Sequence, residues 1–298
     1  MEPRLPGTGD FAALIERGTS GSGDRPLVTW YDGERDQRVE LSWKTFGNWV
    51  AKTANLLVEE LEVEPGARVA TLLPTHWQAP VVLAACWLAG VSVVPAGPDA
   101  PRGAVADLLA EAGCVAAFVH EDLLAEAPSR FPAAGPRPTL VAVTSDLLGR
   151  GAVDLGGAVP FARVVPGMPD HFDAEAAEPG AEALLTVDGG SAHRWTQAAL
   201  IDAAVGLGER LGLAAGDRLY SGLGLQTAAG VVTGLVLPLA AGPGVVLERA
   251  PDPATAWKRM AEERVALAAL TPEQERALLA TRPPGSGVRL LAEPVIRA

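Results

Sequence analysis

Cysteine is scarce. The 298-residue chain holds two, Cys86 and Cys114, both in apolar surroundings (AACWLAG and EAGCVAAF) and without CxxC spacing. That excludes a disulfide-stapled module and a thiolate metal centre, and both read as reduced core residues. Positive charge is also short: the formal net charge is -12, spread along the chain rather than gathered in a tail. With no basic stripe and no interleaved aromatics, the chain repels phosphate backbones, which excludes nucleic acid as a partner. The N-terminal stretch MEPRLPGTGDF has no basic segment followed by an apolar run, so no signal peptide is read there and a cytoplasmic protein is expected.

Long unbroken apolar runs are missing as well. Ala79 to Pro98 and Leu219 to Leu247 carry no charge, and each exceeds the ~18 residues that flag a spanning helix. Pro80, Gly90, Pro95 and Pro98 divide the first, and eight Gly and Pro residues from Gly222 to Gly244 divide the second, into helix-sized and strand-sized pieces. Buried helices and strands are expected, not a membrane. The chain contains no Gly-x-x-x-x-Gly-Lys-Ser/Thr, no Gly-x-Ser-x-Gly elbow, no His-Glu-x-x-His and no fixed-period repeat. His76, His120 and His171 are isolated, with no metal spacing, and read as surface or strand-end residues.

What is present is a core: 48 % of residues are hydrophobic and 20 % charged, enough burial to offset the ordering entropy of about two domains' length. PLVTWYDGERDQRVEL reads as two β-rich runs around a DGERD turn, a hairpin, after which Ser42 caps a helix. In that helix Phe46, Val50, Ala54, Leu57 and Leu61 recur at three- and four-residue spacing. RVATLLP, a helix over Val81 to Ala89, VSVVP, a helix over Pro101 to Ala112 and CVAAFVH then alternate as βαβ units on a parallel sheet.

From Glu126 to Gly180 the chain is rich in Pro and Gly, with one strand at Leu140 to Val143, and reads as a connector. The alternation resumes with a strand at Leu184 to Val187, helices over Thr196 to Leu211 and Thr227 to Leu239, and strands at Arg218 to Ser221 and Gly244 to Leu247. A helix over Asp252 to Glu263, a strand at Ala266 to Leu270, a helix over Pro272 to Ala280 capped by Thr271 and a strand at Val288 to Leu291 complete it. The expected organisation is a first α/β subdomain over 1–180 and a second over 181–298.

Several stretches resemble the N-terminal portion of the adenylate-forming superfamily of acyl-CoA synthetases, peptide adenylation domains and luciferases. They are RPLVTW with LSWKTFGNWVAKTANLL, GARVATLLPTHWQAPVVLAACWLAGVSVVPAGP and PLAAGPGVVLERAPDPATAWKRMAEERVALAALTPEQ, similar in texture along about 250 residues. The resemblance implies an α/β protein of two stacked, helix-flanked, mainly parallel sheets. It also implies ATP and Mg²⁺ chemistry, with a Ser/Thr/Gly-rich loop ending in Pro-Lys-Gly after the strand matched by Ala183 to Thr186.

Here that loop reads VDGGSAHRW and is expected to be a plain strand-to-helix turn. Gly189 and Gly190 offer backbone amides and Ser191 one hydroxyl, so these three are the candidate cofactor-binding residues. The threonines and the Pro-Lys pair are missing, and Asp188 adds a charge that opposes a polyanion by about 4 kcal/mol at ~4 Å and an effective dielectric near 20. Leu225, Gln226 and Thr227 stand where the family has an aromatic and a His lining its acyl pocket. Its adenine-contacting turn, its ribose Asp and its lid domain with a catalytic Lys correspond to positions beyond Val288 to Ala298.

Asp188, Ser191 and His193 sit too close in sequence for a triad. GTSGSG at Gly18 to Gly23 mimics a phosphate loop but reads as a flexible connector, and Glu262-Glu263 reads as a solvated face. The expectation is a noncatalytic pseudoenzyme with no catalytic residue, no metal and no cofactor, which binds a small acyl or nucleotide-like ligand, or a protein, in a remnant cleft between the sheets. The alternative is an active acyl-adenylate-forming ligase, using ATP and Mg²⁺, completed by a separate lid chain.

Overall fold

The computed structural model describes residues 10–97, 109, 111–124, 137–146, 157–175, 178, 180–188, 191–249, 251–292, 294 and 296. In chain order its elements begin with α1 (Phe11–Ser22), β1 (Pro26–Asp32), β2 (Gln37–Ser42), α2 (Trp43–Asn55), β3 (Arg68–Leu72), α3 (Gln78–Leu88) and β4 (Ser92–Pro95). Next come β5 (Ala116–His120), α4 (Glu121–Leu124), β6 (Thr139–Val143), β7 (Val159–Pro160), α5 (Phe161–Val164), β8 (Glu182–Asp188), β9 (Ser191–Thr196) and α6 (Gln197–Leu211). The last are β10 (Arg218–Ser221), α7 (Ala228–Val231), α8 (Leu237–Ala241), β11 (Gly244–Arg249), α9 (Pro253–Glu262), β12 (Leu267–Leu270), α10 (Pro272–Ala280) and β13 (Arg289–Ala292). The helix expected over Pro101 to Ala112 lies almost wholly outside the described residues.

Two mixed, mostly parallel sheets flanked by helices result, as the resemblance implied. One has the order β13-β12-β10-β11-β1-β2, the other β7-β6-β5-β3-β4-β8-β9. Each has a single antiparallel pair, β1 with β2 in the first and β8 with β9 in the second. Strands covered on both faces carry no polar side: β4 and β5 are buried at every position, which is why VSVVP and CVAAFVH read as unbroken apolar runs.

By chain packing there are two compact units, residues 1–47, 75–80 and 198–298 in one and 48–74 and 81–197 in the other. The first contains the six-stranded sheet, because β1 lies beside β11, with Val28 opposite Val245 and Asp32 opposite Arg249. The second contains the seven-stranded sheet, and the Gly/Pro-rich stretch ending near residue 180 falls within it.

Local signals set the helix starts. Asp10 Oδ1 accepts the Ala12 N–H at 2.8 Å, Ser42 Oγ accepts that of Thr45 at 3.2 Å, and Thr271 and Gln274 form a reciprocal capping box. GTSGS, expected as a flexible connector, is instead the C-terminal half of α1. Poor helix formers are held there by packing: a Cβ on Gly18 would stand 2.1 Å from the Trp43 ring, so only glycine lets that indole lie against α1. Both cysteines are buried free thiols, and burial pushes that of Cys114 up to about 12. Among the described residues, no helix is long and apolar enough to cross a membrane.

Candidate functional site

The stretch expected as a strand-to-helix turn is a β-hairpin. Asp188 pairs with Ser191, Thr186 with His193 and Leu184 with Trp195, so only Gly189 and Gly190 separate the strands, and the first helical residue is Gln197. Two-residue Gly-Gly connections suit such hairpins because both residues accept positive φ. Gly189 and Gly190 themselves lie outside the described residues; Ser191, the third candidate, is exposed at the start of β9. Ser191, His193 and Trp195 share one face of the strand, with Thr186 across from His193. Ser191 and His193 are exposed and share no hydrogen bond, so no triad forms.

The base of the hairpin is fixed by charge. Arg68 donates to both Glu182 oxygens, Nε to Oε1 at 2.7 Å and Nη2 to Oε2 at 3.1 Å, while Ser92 Oγ donates at 2.8 Å. Arg194, mostly exposed, stands 3.5 Å from the same carboxylate. Burial pushes the Glu182 carboxyl up, but the hydrogen bonds from Arg68 and Ser92 outweigh it and hold the group below its ordinary range. Behind the hairpin Trp87 Nε1 donates to the Ala183 carbonyl at 2.8 Å, and Gln197 Nε2 donates to the Trp87 carbonyl at 3.2 Å. The buried Trp195 indole N–H has no acceptor among the described residues.

The second landmark is filled by its own contacts. Leu225 is buried, whereas Gln226 and Thr227 are exposed, and Thr227 Oγ1 caps α7 by accepting the Gly230 N–H at 3.0 Å. Thr233 Oγ1 donates to the Ala229 carbonyl at 2.8 Å, so the 2.9 Å contact with Ser221 has Ser221 as donor. Thr233 lies in a π-helical turn, Val232–Val236, between α7 and α8. Gly230 sits on the Gly224 carbonyl, where a Cβ would come within 1.9 Å of its oxygen.

Two charged clusters escaped sequence reading. Glu263, expected on a solvated face, accepts from Tyr31 Oη at 2.5 Å and Arg38 Nη2 at 3.0 Å, with Arg218 Nη2 2.9 Å from its other oxygen. Burial raises its pKa, but the hydrogen bonds from Tyr31 and Arg38 and the charge of Arg218 lower it further. Beside it the buried Arg259 and Glu248 form an ion pair, Tyr220 donates to Glu248 Oε2 at 2.9 Å, and the Arg259 guanidinium lies 4.7 Å from the Tyr31 ring centroid.

Of the isolated histidines, His171 is exposed beside Asp173, whereas His76 is buried with its ring 4.4 Å from that of Trp30. His120, at the end of β5, has Nε2 2.7 Å from Ser145 Oγ and Nδ1 3.2 Å from Asp122. Adjacent parallel strands bring the carboxyl ends of β5 and β6 together, which is the signal that could have linked the two residues. Both are buried, so the arrangement ties the strand ends and presents no nucleophile to solvent. Among the described residues no cluster of His, Cys, Asp or Glu could hold a metal ion.

A model of the AMP-binding enzyme family matches residues 15–164, a segment that ends before the hairpin. The chain is 36% identical over 241 residues to a Mycobacterium tuberculosis protein named only for its own protein family, covering 80% of this chain and 89% of that one. Among solved structures it is similar to an acyl-CoA synthetase of Brucella canis, with a TM-score of 0.83, 16% identity and coverage of 98% of this chain and 55% of that one. For the acetoacetyl-CoA synthetase of Streptomyces lividans the TM-score is 0.79, with 21% identity and coverage of 96% and 47%. For a benzoate CoA ligase of Burkholderia xenovorans LB400 it is 0.76, with 19% identity and coverage of 93% and 52%. The chain therefore spans about half the length of these solved relatives, and at such identities the likeness establishes the fold.

Proposed function

The chain belongs to the AMP-binding enzyme family, and from that premise we propose that it is a noncatalytic member, a ligand- or protein-binding relative that does not turn over ATP. The observation that carries this reading is the length of the hairpin connection. Between the paired Asp188 and Ser191 the chain inserts two residues, and their amides with one Ser191 hydroxyl are all the neutral donors the connection provides. A triphosphate calls for a cradle of several convergent N–H groups and a cation. The cation at hand, Arg194, already lies against Glu182. These residues do not fit a triphosphate.

The remaining role is binding: a small acyl or nucleotide-like ligand, or a protein partner. Two buried thiols, each pushed up by burial, suit a reducing compartment, so the cytoplasm is the proposed location.

Titration calorimetry with ATP and Mg²⁺ tests the reading, together with pyrophosphate exchange against a panel of carboxylic acids. No saturable heat below millimolar ATP and no exchange are expected. Micromolar ATP binding, or exchange abolished by Ser191→Ala, would sink the proposal and favour an active acyl-adenylate-forming ligase. A melting temperature raised by AMP, CoA or a fatty acid, with ATP silent, would identify the ligand class, since any ligand of the folded state stabilises it by mass action.

A further inference from the structure

Within the unit that holds the six-stranded sheet, α9 and α10 leave a cavity of about 210 Å³ against β10 and β12. Its inner wall is the buried Tyr220, Ala256, Leu270 and Leu278, and its outer wall includes the exposed Asp252 and Glu273. Among the described residues, no Lys, Arg or His lines it. We infer that this cavity is a binding site for a small amphipathic cation, a primary ammonium carrying an apolar body the size of one aromatic ring.

Size sets the body. An apolar cavity of about 150 Å³ in another protein takes up benzene, so 210 Å³ accommodates a ring with a short alkyl arm. The space exists because the side chains that α9 and α10 contribute include Ala256 and Ala277, which are too short to fill it. Tyr220 is not free to anchor a ligand by its hydroxyl, which donates to Glu248, so the ring contributes surface alone.

Charge sets the head group. Asp252 Oδ1 accepts the N–H groups of Ala254 and Thr255, each at 3.1 Å, and hydrogen bonding to Thr255 holds its carboxyl below the usual range. Glu273 sits in the first turn of α10 and makes no ion pair among the described residues. The two helix N-termini each offset roughly half a charge, which leaves about one net negative charge beside the apolar wall. A carboxylate entering there is repelled and an ammonium attracted. Fatty and aromatic acids are therefore excluded from this cavity, whatever binds elsewhere.

The test compares two probes with the same body and opposite heads, phenethylammonium and 3-phenylpropionate, by calorimetry and by protein-detected NMR. The ammonium is expected to bind at least ten-fold more tightly and to shift resonances of Tyr220, Leu270 and Leu278. Glu273→Gln should weaken it roughly three- to five-fold, the range of a partly exposed charge pair, and high salt should do the same. Ala277→Phe should fill the space and remove binding more than ten-fold. If that variant does not fold, the NMR map on the unaltered chain decides. Equal affinity for both probes, no binding up to 10 mM, or shifts confined to residues away from Tyr220, Leu270 and Leu278 would each overturn the assignment.

Discussion

Replacing Glu182 by Gln removes the charge on which Arg68, Ser92 and Arg194 converge while keeping the shape of the side chain. Two oxygens take three hydrogen bonds, at 2.7, 3.1 and 2.8 Å, and both Arg68 and Glu182 are largely shielded, with 24% and 19% of their side-chain surface exposed. A hydrogen bond to a charged group contributes about 1.5–3 kcal/mol. An amide keeps one acceptor for Arg68 but turns its NH₂ toward a second guanidinium donor. A loss of about 2 kcal/mol at pH 7 is therefore expected, measured by urea denaturation.

The pH profile separates charge from packing. The carboxyl is held below its ordinary value in the folded state, so its stabilisation is fully present above the unfolded value and disappears as pH falls through the folded one. The gap between wild type and Glu182→Gln should be constant above about pH 5.5 and narrow progressively as pH falls below the ordinary glutamate range. A gap under 0.5 kcal/mol at pH 7, or one that does not narrow in acid, would refute the argument.

Two further substitutions probe the same elements. Gly230→Ala places a Cβ against the Gly224 backbone carbonyl, where no side chain can yield, and should cost about 3 kcal/mol by thermal denaturation; a loss under 1 kcal/mol would mean that the close approach is absent. Trp195→Phe removes a buried donor that has no acceptor among the described residues, and its stability should stay within about 1 kcal/mol of wild type or rise; a fall of more than 2 kcal/mol would show that the indole N–H is bonded.

Much of the fold is legible because strands buried on both faces announce themselves as apolar runs between helical spacings. Arg68–Leu72 and Ala116–His120 follow from RVATLLP and CVAAFVH in that way. The Thr271 cap is equally local, since Gln274 completes its box three residues on. The hairpin was less legible: Ser191 to Arg194 are all exposed, so β9 lacks the alternating burial that marks a strand, and Gly-Gly suits several turns. Helix α1 runs through GTSGS for a reason absent from the stretch itself, the Trp43 ring lying on Gly18. The Glu263 cluster was out of reach because Tyr31 lies 232 residues away, whereas the His120–Ser145 pair, 25 residues apart, could be linked only through the pairing of β5 with β6. The π-helical turn at Val232–Val236, in which Thr233 meets Ser221, has no sequence mark at all.

The place of β1 between β2 and β11 bears on synthesis. Asp32 meets Arg249, so β1 on leaving the ribosome waits for a neighbour about 200 residues downstream. At roughly 5–20 residues per second that wait lasts on the order of 10–40 s. Throughout it the nascent β1–β2 ribbon presents Leu27, Val28 and Trp30 with one edge unmatched, a surface for chaperones to shield until translation delivers its mate.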